Sequence, residues 1–310
     1  MVISNKSLTW GNDQSFWLWK RTIEQRTGVR ITADRENALV SLLTRRMDEL
    51  GYEDVKEYFA DSLDDAKGAG EWSLLVDSLL IKETSFFRHS PSLGYVENWV
   101  ERNIATTSQQ RRPIWLWSIG CSSGEEAYSL AIVVKQAMER RGGQAAFGIV
   151  ATDISRKAIA QARRGIYAAT KLTGISTALK NKYFDQVDAN NYRVKDSLRR
   201  HVCFLSSNVL DDKSPLVRRK MDLIYCQNML VYFRRWQRRE IVTKLTSHLQ
   251  SDGHLLVGLG ELGIWVPPGL ERTVPRTVQA YKVRTAQKET AQPREEIITG
   301  LDSEQAIRRC

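Results

Sequence analysis

The chain begins with apolar residues at three- and four-residue steps. Phe16, Trp19 and Ile23 share one helical face, and Leu39, Leu42, Leu43, Met47 and Leu50 share another. Thr27-Gly28 closes the first pattern and Gly51 the second, each placed as a left-handed C-cap. A third pattern carries Val55, Tyr58 and Phe59, and a fourth carries Trp72, Leu75 and Leu79. These spacings predict an all-helical N-terminal domain over residues 1–82, too short to build an enzyme by itself.

From Pro113 the period changes to short β-rich runs alternating with helical stretches, the sequence form of a parallel sheet with crossover helices. The predicted strands are 114–119, 147–152, 201–205, 221–225 and 254–258. Between the second and third, Tyr183-Phe184 and Tyr192-Arg193-Val194 flank Ala189-Asn190-Asn191 and predict a hairpin set into the frame, a β-subdomain over about 180–200. Thr273-Val274 and 280–283 predict an antiparallel edge. The α/β domain runs over 83–285, and 286–310, polar and without period, reads as a flexible tail.

Composition narrows the class. Of 310 residues, 42% are hydrophobic and 26% charged, ordinary for a globular chain of two domains. The longest apolar stretch, 254–270, is interrupted by Glu261, two prolines and four glycines, which rules it out as a membrane span. The first residues lack the pattern of an export signal, so a cytoplasmic protein without stable membrane insertion is expected. Cys121, Cys203, Cys226 and Cys310 are scattered, and the four histidines show no metal-ligand pairing; no metal is expected. Net charge is +10, but residues 1–80 hold ten Lys and Arg against fourteen Asp and Glu. The basic surface belongs to the second part, where pairs such as Arg163/Arg164 and Arg234/Arg235 suit phosphates or the carboxylates of an acidic protein.

The segment 115–131 carries the strongest chemistry: a strand, a small-residue loop, then a helix. Gly120, Ser122, Ser123 and Gly124 let backbone approach a ligand closely. Glu125 and Glu126 follow at the helix start, where a phosphate would be repelled; carboxylates there suit a ligand with an ammonium or sulfonium group, or simply complement the helix dipole. Asp153 closes the second strand and can accept both hydroxyls of a ribose, or serve as N-cap of the next helix. Asn208 and Asn228 lie beyond the carboxyl ends of the third and fourth strands, as site residues or as turn formers.

In order along the chain, Glu83-Thr-Ser-Phe-Phe-Arg88, the 117–131 stretch WSIGCSSGEEAYSLA, ATDIS at 151–155, SSNVL at 206–210 and CQNMLVYF at 226–233 resemble the chemotaxis receptor methyltransferases of the CheR type. The resemblance covers about residues 15–284. It implies an S-adenosylmethionine-dependent protein-glutamate O-methyltransferase: a helical N-terminal domain, then a Rossmann-like α/β domain with a small β-subdomain insertion. By position it implies that Thr84 and Arg88 hold the methionine end or reactive region of the cofactor and that Glu125 takes its ammonium. Asp153 would take the ribose and Asn208 with Val209 the adenine side. Gln227 and Asn228 would lie near the sulfonium, with Gly120 in the cofactor loop, and Tyr232 would face the transfer site beside Arg88. The family commonly has Arg at Gln227 and Pro at Ala127, and its helical domain usually presents a basic docking face.

A glutamate carboxylate, with an ordinary pKa of about 4.3, is ionised at neutral pH, so its attack on a sulfonium methyl needs no general base. Alignment and exclusion of water are what the site must supply. The implied partner is the cytoplasmic domain of a methyl-accepting chemoreceptor, with S-adenosylhomocysteine as by-product and the enzyme a monomer. Some family members grip a peptide tether as an added strand on the β-subdomain. The hairpin here has no glycine between its strand ends, so recognition is expected instead through the methylation helices, docked on Arg35, Arg45 and Arg46. Two rival readings remain. A nucleic-acid methyltransferase fits the basic charge, but the fourth strand lacks the Pro-Pro-aromatic loop of base-amine methylation, so no nucleic-acid partner is expected. A cofactor-binding regulatory module without turnover is kept open by Gln227.

Overall fold

The computed structural model describes residues 14–64, 66–80, 83–109, 112–142, 146–211, 219–273 and 277–284. The expected tail and Val274 lie outside them. The chain divides into two compact units.

The first unit holds α1 (Gln14–Thr27), α2 (Ala33–Leu50), α3 (Val55–Leu63) and α4 (Ala69–Leu79). Trp19, Leu39, Leu43, Met47, Tyr58 and Leu75 close its core, the residues whose periodicity predicts these helices. Gly51 ends α2 at φ 78°, and Tyr52 N–H donates to the Met47 carbonyl at 2.9 Å, the bond pattern of a left-handed cap. Beneath this core Arg46 makes a two-pronged ion pair to Glu71, at 2.9 and 2.6 Å, and Tyr58 donates to the same carboxylate at 2.7 Å. Burial works to raise the Glu71 carboxyl, but these bonds and the Arg46 charge bring it below its ordinary value. The unit also takes in Tyr232–Arg234, with Arg30 N–H donating to the Tyr232 carbonyl at 3.0 Å.

The second unit is the α/β part. It runs α5 (Ser90–Gln109), β1 (Ile114–Ile119), α6 (Glu125–Arg140), β2 (Phe147–Asp153), α7 (Arg156–Arg164), β3 (Ile166–Ala168), α8 (Thr177–Tyr183), β4 (Phe184–Gln186), β5 (Asn191–Val194), α9 (Asp196–Arg199), β6 (Val202–Ser206), β7 (Met221–Cys226), α10 (Arg235–Thr246), β8 (Leu249–Val257), β9 (Leu270–Arg272) and β10 (Gln279–Val283). The large sheet has the order β6-β2-β1-β7-β8-β10-β9. It is parallel from β6 to β8, and β10 runs antiparallel to β8 and β9. Every residue of β1 and β7 is buried, as central parallel strands covered on both faces require.

Three differences from the sequence expectations have local causes. The edge strand β9 covers Leu270–Arg272, not Thr273-Val274, and Thr273 N–H donates to the Ala280 carbonyl just past its end. β8 starts at Leu249 rather than 254, because Leu249 pairs with Met221 across a register shift, so polar residues 250–252 are drawn into the strand. The small sheet has three strands in the order β3-β5-β4, not a lone hairpin. β3, only three residues long, begins right after Gly165 caps α7 and brings the insertion's sheet forward to residue 166. Its outer strands, β3 and β4, are both edges of three residues.

Candidate functional site

Chain order defines where a ligand can lie. From β1 the chain moves to β2 and β6 on one side, then returns to β7 on the other, so the crevice opens beyond the carboxyl ends of β1 and β7. There Gly120, at φ 73°, packs against Met229; an added Cβ would lie 3.0 Å from the Met229 side chain. The loops after β1 and β7 thus touch directly.

In the β1 loop, Gly124 at φ 96° starts α6, where a Cβ would come within 2.8 Å of Ala162. Tyr167 of β3 donates to the Ser123 carbonyl at 2.7 Å and braces the loop from the small sheet. Glu125 is fully buried. Its Oε2 accepts from Ser123 Oγ at 2.7 Å, while Oε1 makes no hydrogen bond and lies 3.4 Å from Lys171 Nζ.

Asp153 closes β2. One carboxylate oxygen accepts the Ser122 N–H and the other the Ser155 N–H, both at 2.8 Å. The N-cap of α7 is Ser155, whose hydroxyl accepts from Ala158 N–H at 3.0 Å. The N-cap alternative for Asp153 is therefore taken by its neighbour. β6 pairs with β2 in a register that sets Ser206 opposite Asp153, and Ser207 N–H donates to the Asp153 carbonyl. Asn208 and Val209 follow, half-buried, with the Asn208 side-chain oxygen accepting from Leu210 N–H at 3.0 Å in a turn.

After β7, Gln227 is buried with Nε2 unbonded, and Asn228 is exposed at φ 55°. Glu261, absent from the sequence expectations, holds this loop: its carboxylate accepts from Val231 N–H at 3.1 Å and Gly258 N–H at 2.7 Å. Tyr232 ends the 3-10 turn Leu230–Tyr232 and clusters with the helical unit.

The segment 83–88 is fixed at three points. Phe86 meets Tyr167 and Phe184 edge-on, Phe87 N–H donates to Ser129 Oγ at 3.0 Å, and Lys171 Nζ donates to the Thr84 carbonyl at 2.7 Å. Arg88 is exposed and donates to the Glu83 carbonyl at 2.6 Å. Phe87, Ser122 and Asn228 are the non-glycine residues at positive φ among those described, one in each of the three segments. Such strain is held in place by surrounding structure and gathers at ligand sites.

Two carboxylates act on a third here. Burial pushes the Glu126 carboxyl up to about 8; the charges of Glu261 and Asp153 add to this, while the Ser118 hydroxyl bond at 2.7 Å and the Arg88 charge oppose it. Burial likewise raises Glu261. Among the described residues no His, Cys, Asp and Glu group is arranged to hold a metal ion.

The expected docking arginines fare differently. Arg35 donates to the Leu79 carbonyl, and Arg46, only 14% exposed, is spent on Glu71 and Glu49. Of the three, Arg45 alone turns outward, 3.8 Å from Glu49. The three-arginine face is corrected to one exposed arginine. Ser129, Lys171, Tyr167 and Glu261 were missed, since each acts through a partner distant in sequence. For Glu261 a signal existed: a lone acid inside the apolar run 254–270.

S-adenosylmethionine fits these residues by donor and acceptor count. Ser122 Oγ and Gln227 Nε2 are buried without a hydrogen bond, and the buried Glu125 Oε1, which accepts none, already answers one ammonium group, that of Lys171. The parallel sheet with its loops at the β1/β7 crevice is a doubly wound α/β ligand-binding domain. Residues 82–264 match the CheR methyltransferase SAM binding domain, and residues 14–80 match the CheR methyltransferase all-alpha domain. The chain belongs to the CheR methyltransferase family. It is 31% identical to the chemotaxis protein methyltransferase of Borreliella burgdorferi over 76% of this chain and 83% of that one. It is 28% identical to chemotaxis protein methyltransferase 1 of Pseudomonas aeruginosa, covering 79% and 89%. A solved magnesium protoporphyrin IX methyltransferase from Synechocystis PCC 6803 with bound SAM is a distant geometrical likeness, at TM-score 0.31 and 14% identity over 78% of this chain and 97% of that one. No described helix is long and apolar enough to cross a membrane.

Proposed function

We propose that this methyltransferase esterifies glutamate side chains on the cytoplasmic helices of a methyl-accepting chemoreceptor, using S-adenosylmethionine. The observation that carries the reading is the buried Glu125 carboxylate answering an ammonium group, here that of Lys171, beside buried Ser122 and Gln227 atoms that make no hydrogen bond, in a chain of this family. When bound, the cofactor supplies an activated methyl group. Glu125 holds the ammonium, Asp153 the ribose hydroxyls, and Asn208 with Val209 the adenine side. Thr84 and Arg88 meet the methionine end, and Gly120 keeps the loop backbone close to the ligand. Gln227 and Asn228 border the reactive region, and Tyr232 faces the incoming substrate. The acceptor carboxylate is already ionised at neutral pH, so these residues orient it and exclude water rather than remove a proton.

Tritiated methyl transfer from S-adenosylmethionine into receptor cytoplasmic fragments tests this. Label released by mild base is the expected result for an ester. Base-stable label, or label only in nucleic acid, would overturn the substrate assignment, and cofactor binding without transfer would leave the regulatory-module reading standing.

A further inference from the structure

Outside the cofactor site, the exposed large apolar side chains of the α/β unit collect in one place. Val231, Trp236 at 62% exposure, Leu259 at 61%, Ile264 at 100% and Val266 fall in two segments, 231–236 and 259–266; among the described residues of this unit only Val187 lies elsewhere. The two segments are bonded together. Arg238 donates to the carbonyls of Val231 and Glu261, both at 3.1 Å, and Val231 N–H donates to the Glu261 carboxylate at the same distance.

The 258–266 loop is held from beneath by buried polar groups. Besides the Glu261 bond to Gly258 N–H, Gln279 accepts from Gly260 N–H at 3.0 Å and donates to the Gly263 carbonyl at 3.2 Å. Tyr281 donates to the Trp265 carbonyl at 3.3 Å. Gln279 and Glu261 are 1% and 5% exposed. An unconstrained loop would fold Leu259 and Ile264 down and turn its polar atoms to water. Here the polar atoms are spent inside and the apolar side chains stand outside on a fixed backbone, the arrangement of a preorganised binding surface.

We infer that this ridge docks an amphipathic helix of the methyl-accepting protein, apolar stripe on Leu259 and Ile264, acidic flank on Arg235 and Arg239. The inference rests on the receptor reading above and adds where the receptor helix lies. Charge selects this occupant: residues 235–239 carry Arg235, Arg238 and Arg239 with no acid, and a helix rich in methylatable glutamates is anionic. A second copy of the chain would bring the same arginines face to face across a two-fold contact. Position agrees, since Val231 lies three residues beyond Asn228 at the mouth of the cofactor crevice.

The test uses the full chain and the receptor fragment that accepts base-labile label, with Leu259→Asp/Ile264→Asp and Arg235→Glu compared with wild type. Both sites are exposed, so unchanged thermal melts and unchanged S-adenosylhomocysteine affinity are expected. The apolar double variant should raise KM for the fragment about tenfold with kcat within about twofold, as loss of a docking anchor does. Arg235→Glu should raise KM less and flatten its salt dependence. Unchanged KM in both variants overturns the docking surface while leaving the methylation reading intact. So does a wild-type dimer that the double variant abolishes without a change in KM. If wild type labels no receptor fragment, the receptor reading fails and the docking assignment falls with it.

Discussion

Glu126 makes the most quantitative prediction. Its carboxyl, pushed up to about 8 chiefly by burial, is largely protonated at neutral pH in the folded chain, whereas in the unfolded chain it titrates near 4.5. A raised folded-state pKa means the fold binds the proton more tightly, so the stabilisation is full below the unfolded value and is lost as pH rises through the folded one. Integrating the proton-binding difference from pH 6 to pH 8 gives a loss of about 2 kcal/mol for this group. Glu126→Gln keeps the shape, retains a group for the Ser118 hydroxyl and cannot ionise. The cofactor-free wild type and variant should be unfolded in urea at several pH values across that range. His254, lowered to about 4, and His201 and His248, also lowered, all by burial, push stability the other way as pH rises. They do so equally in both proteins, so the difference between the two curves isolates Glu126. The variant should gain about 2 kcal/mol on wild type between the acid and alkaline ends. Parallel curves would show that Glu126 ionises freely, and that the site is wetter than its burial implies.

Asp153→Ala should weaken S-adenosylmethionine binding by about 1–3 kcal/mol, by calorimetry, because it removes the hydroxyl acceptor and frees the Ser122 and Ser155 N–H groups. Arg46→Ala should cost about 2–4 kcal/mol in thermal or urea unfolding, since the Glu71 carboxylate, which also accepts from Tyr58, is left without its cation. Arg45→Glu should leave stability unchanged and raise KM for receptor modestly; no change in KM would remove the helical unit's contribution to docking. Methylation rates should fall as salt rises from about 20 to 300 mM, and a flat profile would exclude charge-led encounter.

Legibility followed the range of the interactions. The central strands were plain in the sequence because burial on both faces makes Ile114 to Ile119 and Met221 to Cys226 near-continuous apolar runs. β3 was invisible, since three residues carry no period and only pairing with β5 makes them a strand. Glu125 and Asp153 could be singled out as candidates because strand, loop and helix are consecutive there. Ser129 could not: its tie to Phe87 spans 42 residues. On a helical wheel Arg35 and Arg46 lie about 20° apart, so their common face was readable. That this face packs on α4, through Glu71 and Leu79, was not, and Arg45 was left as the outward residue.

The two hydrogen-bonding groups of Gln279 belong to β10, made after every other described strand, yet they secure a loop that precedes it in the chain. Synthesis proceeds from the N-terminus, and units fold as they emerge. The 258–266 loop, and through Glu261 the loop after β7, therefore take their final shape only once β10 has joined the sheet. The mouth of the crevice and the 258–266 ridge are thus completed together by the last described strand, not one after the other.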